Sequence, residues 1–389
     1  MIRGITYGYK DLGILGAEIS YVKSRSECNP FYKRLHLPIF ASPMTSVVSE
    51  ENYSKFEKNG LYAVIPRDNN MTMEKRINLL LEGKWVAFGL YEFKKVFCDE
   101  EFCKTLPEKT LNVCVDIANG HMENMYNICK KAKRVSLDKK YQLTIMAGNI
   151  DNPLVYDWVR RLNNGFFEKN GQIVIDYLRL GIGGGDGCTT TPQTGVHMGQ
   201  ASLIDECNQI RHKYCGKGCP LIVADGGIKG FDDVVKALAL GANYVMIGSI
   251  FARTIESAGE KTLSSLTLDF ELPSQRFDDY TDYDYDNDCG VWRATYKDGK
   301  TYAFGDISVK FFGMASGNGQ RSMSGEKTKH SEGTTKMLTV NFTLEKWSKI
   351  MAHCIRCAMS YCNSFTLEDF IGKQELVVLS QNELNSLNK

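Results

Sequence analysis

Cys188 closes a stretch, GIGGGDGC at 181–188, that carries five glycines, and threonines follow at 189–191. Glycine runs let backbone N–H groups approach a phosphate, and a cysteine beside them invites nucleophilic chemistry. A dinucleotide fingerprint, G-x-G-x-x-G, fails in both registers. Starting at Gly181 it needs glycine where Asp186 stands, and starting at Gly183 it needs glycine where Cys188 stands. No Walker lysine follows, so a P-loop is excluded as well. A free thiol with a pKa near ~8.5 is only a few per cent ionised at neutral pH, so a working nucleophile needs help from its surroundings. The N–H groups and threonine hydroxyls of this loop offer such help. On residues alone, an activated Cys188 and an inert loop thiol remain equal readings.

Two further loops have the composition of anion sites: ADGG at 224–227 and IGS at 247–249. Each follows an apolar run, and a pair of such loops favours phosphate binding over two unrelated tight turns. Other cysteines suggest metal only weakly. Cys354 and Cys357 form a C-x-x-C and Cys215 and Cys219 flank GKG, but zinc would need both pairs to meet. Helix packing is the preferred reading for the first pair.

Something must bring these loops to one place. Eight short apolar, β-branched runs recur: 39–42, 61–65, 85–89, 111–116, 143–149, 177–183, 221–227 and 244–249. Helix-like stretches separate most of them, as at 122–135, 153–164 and 231–241. Continuous apolar strands alternating with amphipathic helices indicate a parallel sheet covered on both faces. Eight units point to a (β/α)8 TIM barrel, with a doubly wound open sheet as the alternative. In such a barrel the Gly, Asp, Asn, Ser and Cys residues at the strand ends converge on one rim.

The chain is read as a single barrel domain over 1–389, interrupted at 262–336 by an insertion, a hairpin and an active-site flap. The acidic stretch at 277–292 is no EF-hand: a loop begun at Asp284 has Cys289 in place of glycine and Thr295 in place of glutamate. It is expected to be a solvated or oligomer-contacting loop. The Asp-Gly dipeptide within 295–303 predicts a hairpin. The Gly/Ser-rich 314–336 predicts a mobile flap, and 344–362 an amphipathic helix.

Composition narrows the partners. Of the 389 residues, 47 are Lys or Arg and 46 are Asp or Glu, so no polybasic footprint for nucleic acid exists. No window approaches the 18 uninterrupted apolar residues of a membrane span, and no signal peptide is evident. The 13 scattered cysteines read as reduced thiols, and a cytoplasmic location is expected.

Taken in order, DIANG, TIMAGN, GIGGGDGCTT with its following TGV and Gln, VADGGI, GANYVMIGS, FFGMAS and SEG closely resemble the IMP dehydrogenase/GMP reductase family. The resemblance runs from ASPM at 41–44 to SEG at 331–333. The TT and TGV after the cysteine, and a flap without an Arg-Tyr pair, lean towards the reductase branch; ASPM and AVIPR at 63–67 look more like the dehydrogenases. The resemblance implies a (β/α)8 barrel, commonly a homotetramer, acting on a purine nucleotide monophosphate with a nicotinamide cofactor. NADPH is expected, with NAD as the alternative.

It also implies roles. Cys188 would attack C2 of GMP to form a thioimidate, and Thr190 and Glu332 would move the protons that release ammonia. Asp225 would bind the ribose, and backbone amides at Gly183, Gly185, Gly226, Gly227, Gly248 and Ser249 the phosphate. Met314 and Gly333 would contact or close over the base, and Asp116 and Asn149 would line the cofactor side. Oxidation of IMP with NAD, a modified purine nucleotide as substrate, and non-catalytic nucleotide binding are the alternatives. The chain departs from the family pattern at Asp186, where serine is usual, because a carboxylate repels a phosphate. It departs also where the reductase lysine falls on Pro66 or Arg67, and where the flap arginine falls on Lys329.

Overall fold

The computed structural model describes residues 4–32, 35–139, 141–264, 272–286, 291–325 and 330–387. Eight parallel strands close into a barrel: β1 (Ile39–Ala41), β2 (Tyr62–Ile65), β3 (Trp85–Phe88), β4 (Thr110–Val115), β5 (Gln142–Ile150), β6 (Tyr177–Leu180), β7 (Leu221–Asp225) and β8 (Tyr244–Ile247). Closure is made by β8 against β1, where Ile39 pairs with Val245 and Ala41 with Ile247. The eight expected runs are these eight strands, and the open-sheet alternative is excluded. Most of the strands stop short of the glycines that end the runs; β6 finishes at Leu180, because the following glycines turn into the rim loops.

Side chains alternate between the barrel interior and the helical shell. Phe40, Val64, Trp85, Ala87, Cys114, Met146, Val223 and Met246 fill the interior, with Tyr62, Tyr177 and Tyr244 packed against them. The aromatic members meet at close range: Trp85 and Tyr177 edge-on at 5.3 Å, Tyr177 and Tyr244 at 5.5 Å. Two residues further along their strands, the inward positions become charged: Arg179 follows Tyr177, Asp225 follows Val223, and Asp116 follows Cys114. An apolar plug therefore supports a polar floor at the C-terminal mouth, where barrel sites are built.

Outside the barrel, the apolar stripes of the helices cover the sheet. The helix expected over 122–135 extends over Glu123–Lys139, and that over 153–164 runs Pro153–Asn170 until Gly171, at φ +71, caps it. The C-terminal helix occupies Leu344–Tyr361 and buries Trp347, Met351 and Ile355.

The insertion is more ordered than its composition suggests. The expected acidic loop contains a strand, β10 (Tyr280–Asp286), in an antiparallel sheet with β11 (Val291–Tyr296) and β12 (Thr301–Phe304). Tyrosines alternate with aspartates here, a two-residue period that places rings inward and carboxylates outward. Tyr280 is buried and Tyr283 half-buried, whereas Asp282 and Asp284 are exposed; a bulge at Asp282 (φ +52) shifts the register. The expected Asp-Gly hairpin joins β11 to β12. Cys289 lies outside the described residues.

A second sheet sets β9 (Lys261–Leu263) and β14 (Thr335–Thr339) on either side of β13 (Ile307–Phe312). The stretch expected to be a flap, 314–336, contains a helix at Gly317–Ser324 and ends where β14 begins. Lys329 lies outside the described residues.

Lys261 anchors the base of this insertion. Its ammonium donates to the carbonyls of Ser257 and Gly259 and lies 5.1 Å from the centre of the Phe277 ring, and burial lowers its pKa to about 8. Between pH 8 and the ordinary lysine value of 10.5 the unfolded chain holds this proton and the folded chain does not. Folding therefore releases a proton, and this group's contribution makes stability rise with pH across that window. Thermal midpoints at pH 7.5 and 9.5 should show wild type gaining on Lys261→Met as pH rises. A pH-independent difference between the two proteins contradicts this reading.

Candidate active site

A cavity of ≈ 240 Å³ opens at the C-terminal mouth of the barrel. Three loops supply its glycine cradle: Gly183 to Gly187 after β6, Gly226 and Gly227 after β7, and Gly248 with Ser249 after β8. The first two loops lie back to back, with the Gly227 N–H donating to the Gly184 carbonyl at 2.9 Å. Gly183 has φ +75, and a side chain there would collide with Thr191, so only glycine fits.

Cys188 lies half-buried in the cavity wall. Its thiol is 3.2 Å from Thr190 Oγ1, which in turn donates to Glu332 Oε2 at 2.9 Å. Thiol, hydroxyl and carboxylate thus form one hydrogen-bonded chain, although Glu332 is 142 residues from Thr190 in sequence. Backbone pairing fixes the alignment. Thr189 N–H donates to the Glu332 carbonyl at 3.0 Å, Thr334 N–H to the Gly187 carbonyl at 2.9 Å, and Cys188 bridges Gly333 as in an antiparallel sheet. A Cβ on Gly333 would come within 2.8 Å of the Ser316 nitrogen, so glycine permits this close approach.

Asp116, Asn149 and Asp225 line the same cavity and are joined by Arg179. Its guanidinium reaches Asp116 Oδ1 through both terminal nitrogens, each at 3.1 Å, and also donates to Asn149 Oδ1 and to Cys114 Sγ. Its Nε is 3.1 Å from Asp225 Oδ2, an ion pair in which the N–H points off the line of a hydrogen bond. Asn149 Nδ2 donates to the same Asp225 oxygen at 2.8 Å, so Asp225 Oδ2 is engaged from two sides. Burial raises the Asp225 carboxyl pKa above the ordinary value, and Arg179 and Asn149 pull it back. Arg67, after β2, reaches the other Asp116 oxygen at 3.5 Å.

The structure brings into the cavity lining all but two of the residues to which the family resemblance assigned roles. Thr190 and Gly333 stand immediately behind it, acting on Cys188 and on the loop backbone. Met314 lines the wall from the flap, and Asp186 is exposed and lines the cavity near Cys188. Arg179 was not among the expected residues. Its signal was present in YLRL, where a charged residue shares the inward face of an apolar strand with Tyr177 (two positions apart). Among the described residues no cluster of three or more His, Cys, Asp or Glu is placed to hold a metal ion, and the twelve described cysteines are free thiols. No described helix is long and apolar enough to cross a membrane.

Barrel, cradle and thiol chain together define a (β/α)8-barrel enzyme. Comparison with known proteins narrows this. Residues 99–267 match the model of the IMP dehydrogenase / GMP reductase domain. A GMP reductase of Staphylococcus epidermidis is 30% identical over 286 residues, covering 70% of this chain and 77% of that protein. A GMP reductase of Bacillus licheniformis is 29% identical over 71% of this chain and 79% of its own length. One from Vibrio parahaemolyticus is 25% identical over 98% and 97% respectively. The chain belongs to the IMP dehydrogenase/GMP reductase family, and it is an oxidoreductase of that family.

Proposed function

We propose that this enzyme reductively deaminates GMP to IMP and ammonia, through a covalent bond between Cys188 and C2 of the purine. The observation that carries this reading is the Cys188–Thr190–Glu332 chain at the edge of the glycine cradle. The GMP reductase relatives reported above favour this reaction over the oxidation of IMP.

In the first half-reaction the Cys188 sulfur bonds to C2 of GMP. The C2–N bond to the amino group breaks, and that nitrogen leaves as ammonia once protonated. The proton from the thiol passes by way of Thr190 Oγ1 and Glu332 to the leaving nitrogen, so this half-reaction balances without any further reagent. A bound dihydronicotinamide supplies hydride to C2. The C2–S bond then breaks, IMP leaves, and the Cys188 thiolate takes up one proton from solvent by way of Glu332 and Thr190.

Asp116, Asn149 and Arg179, hydrogen-bonded to one another, form one wall of the cavity that Cys188 also lines, and the nicotinamide is assigned to this wall. NADPH is the cofactor of this reading. Asp225 holds the ribose: its Oδ2 is engaged by Arg179 and Asn149, leaving Oδ1 for a sugar hydroxyl. Amides of Gly183, Gly185, Gly226, Gly227, Gly248 and Ser249 hold the phosphate, and Met314 and Gly333 border the base. Assembly as a homotetramer in the cytoplasm completes the reading.

Incubation with GMP and NADPH should lower absorbance at 340 nm with stoichiometric release of ammonia. NADH formation from IMP and NAD, without any consumption of NADPH by GMP, would replace this reading with the dehydrogenase reaction. Within it, Glu332→Gln keeps the shape and removes the base. It is expected to lower kcat by about 10²- to 10⁴-fold while the KM for GMP stays within about threefold. An equal loss in kcat/KM caused entirely by KM contradicts a proton-transfer role.

A further inference from the structure

We propose that Lys229 supplies the side-chain cation of the phosphate subsite and that Asp186, on the same cavity, opposes it. The inference rests on reading the cavity as a site for a purine 5′-monophosphate.

The cavity lining contains six charged side chains: Asp116, Asp186, Asp225, Glu332, Arg179 and Lys229. Arg179 is committed to Asp116 and Asp225, each at 3.1 Å. Glu332 accepts the Thr190 hydroxyl. Asp186 and Lys229 remain, and neither has an ion-pair partner among the described residues. Lys229 is therefore the one uncommitted cation on a wall that also carries an uncommitted carboxylate. A phosphate dianion entering this cavity meets repulsion from Asp186, and Lys229 is the lining side chain able to offset it.

The backbone places Lys229 for this task. It follows Gly227 by two residues, on the loop that supplies cradle amides after β7. The N–H groups of Lys229 and Gly230 both donate to Asp233 Oδ2, at 2.8 and 3.1 Å, which ties the loop to the start of the Phe231–Leu240 helix. The backbone is thus held while the exposed side chain is free to reach a ligand. Apolar Phe311 lines another part of the wall and offers no donor.

The test is equilibrium binding of GMP, guanosine and ribose 5-phosphate to wild type, Lys229→Met, Lys229→Arg and Asp186→Ser. Lys229→Met should weaken GMP and ribose 5-phosphate by about 10- to 100-fold, the loss of one charge-assisted hydrogen bond, and leave guanosine within about twofold. Lys229→Arg should restore most of the phosphate affinity, and Asp186→Ser should tighten GMP by several-fold. Equal weakening of GMP and guanosine by Lys229→Met, or no weakening of either, overturns the proposal. If GMP is reduced normally while Lys229→Met binds it like wild type, the inference falls and the reductase reading stands. If ribose 5-phosphate binding depends on Lys229 but NADPH does not reduce GMP, the reductase reading falls and the phosphate assignment stands.

Discussion

Cys188→Ala is expected to abolish turnover of GMP, by a factor on the order of 10⁴ or more in kcat, while affinity for GMP stays within a few-fold. The split between the two quantities follows from the division of labour in the cavity. In the proposed reading, affinity comes from the cradle after β6, β7 and β8 and from Asp225. Chemistry is assigned to the thiol, whose hydrogen bond to Thr190 at 3.2 Å continues to Glu332 at 2.9 Å. Alanine at 188 removes the atom proposed to bond to C2 and leaves the Gly333 bridge, a backbone feature, in place. Steady-state kinetics together with calorimetric binding of GMP measure both. Retained turnover sinks the nucleophile assignment. Retained affinity in a wild-type protein that has no turnover marks a nucleotide-binding protein instead of an enzyme.

Arg179→Met should produce the largest loss of stability of any single change at the mouth, about 3–5 kcal/mol at neutral pH. The side chain is buried, and its removal strands Asp225 without a cation and leaves Asp116 only Arg67, at 3.5 Å. Burial already raises the Asp225 carboxyl, and without Arg179 it rises further. A carboxyl whose folded pKa lies above its unfolded one penalises folding at pH values above the folded pKa. That penalty fades as pH falls from the folded value towards the unfolded one, below which both states hold the proton. Urea denaturation should therefore show the deficit of Arg179→Met shrinking as pH is lowered from 7 to 5. It should also shrink in a background carrying Asp116→Asn and Asp225→Asn, which removes both of the carboxylates that Arg179 neutralises. A deficit unaffected by pH and by that background would assign Arg179 to simple packing.

The barrel was legible because a parallel sheet buried on both faces leaves continuous apolar runs, and eight of them are hard to arrange otherwise. Strand ends were less legible, since the glycines after β6 extend an apolar run without belonging to the ladder. From sequence the Tyr280–Asp286 strand looks like a loop, because its acidic composition masks a two-residue alternation that the bulge at Asp282 also disturbs. In the site, glycine spacing excluded a dinucleotide fingerprint but could not place Glu332 beside Thr190. Sequence distance hides a contact made by tertiary pairing, and the family resemblance supplied what spacing did not. Arg179 escaped notice for a related reason: within YLRL it looks like an interruption of a strand, and its partners lie on three other strands.

The most direct test of the account is mass spectrometry of the protein after incubation with GMP in the absence of cofactor. The chain of thiol, hydroxyl and carboxylate predicts an adduct on the peptide containing Cys188, with the mass of GMP less ammonia. NADPH should discharge it with release of IMP, and Cys188→Ala should not form it. Steady NADPH-dependent conversion of GMP with Cys188 unmodified at every time point would contradict covalent catalysis at this residue.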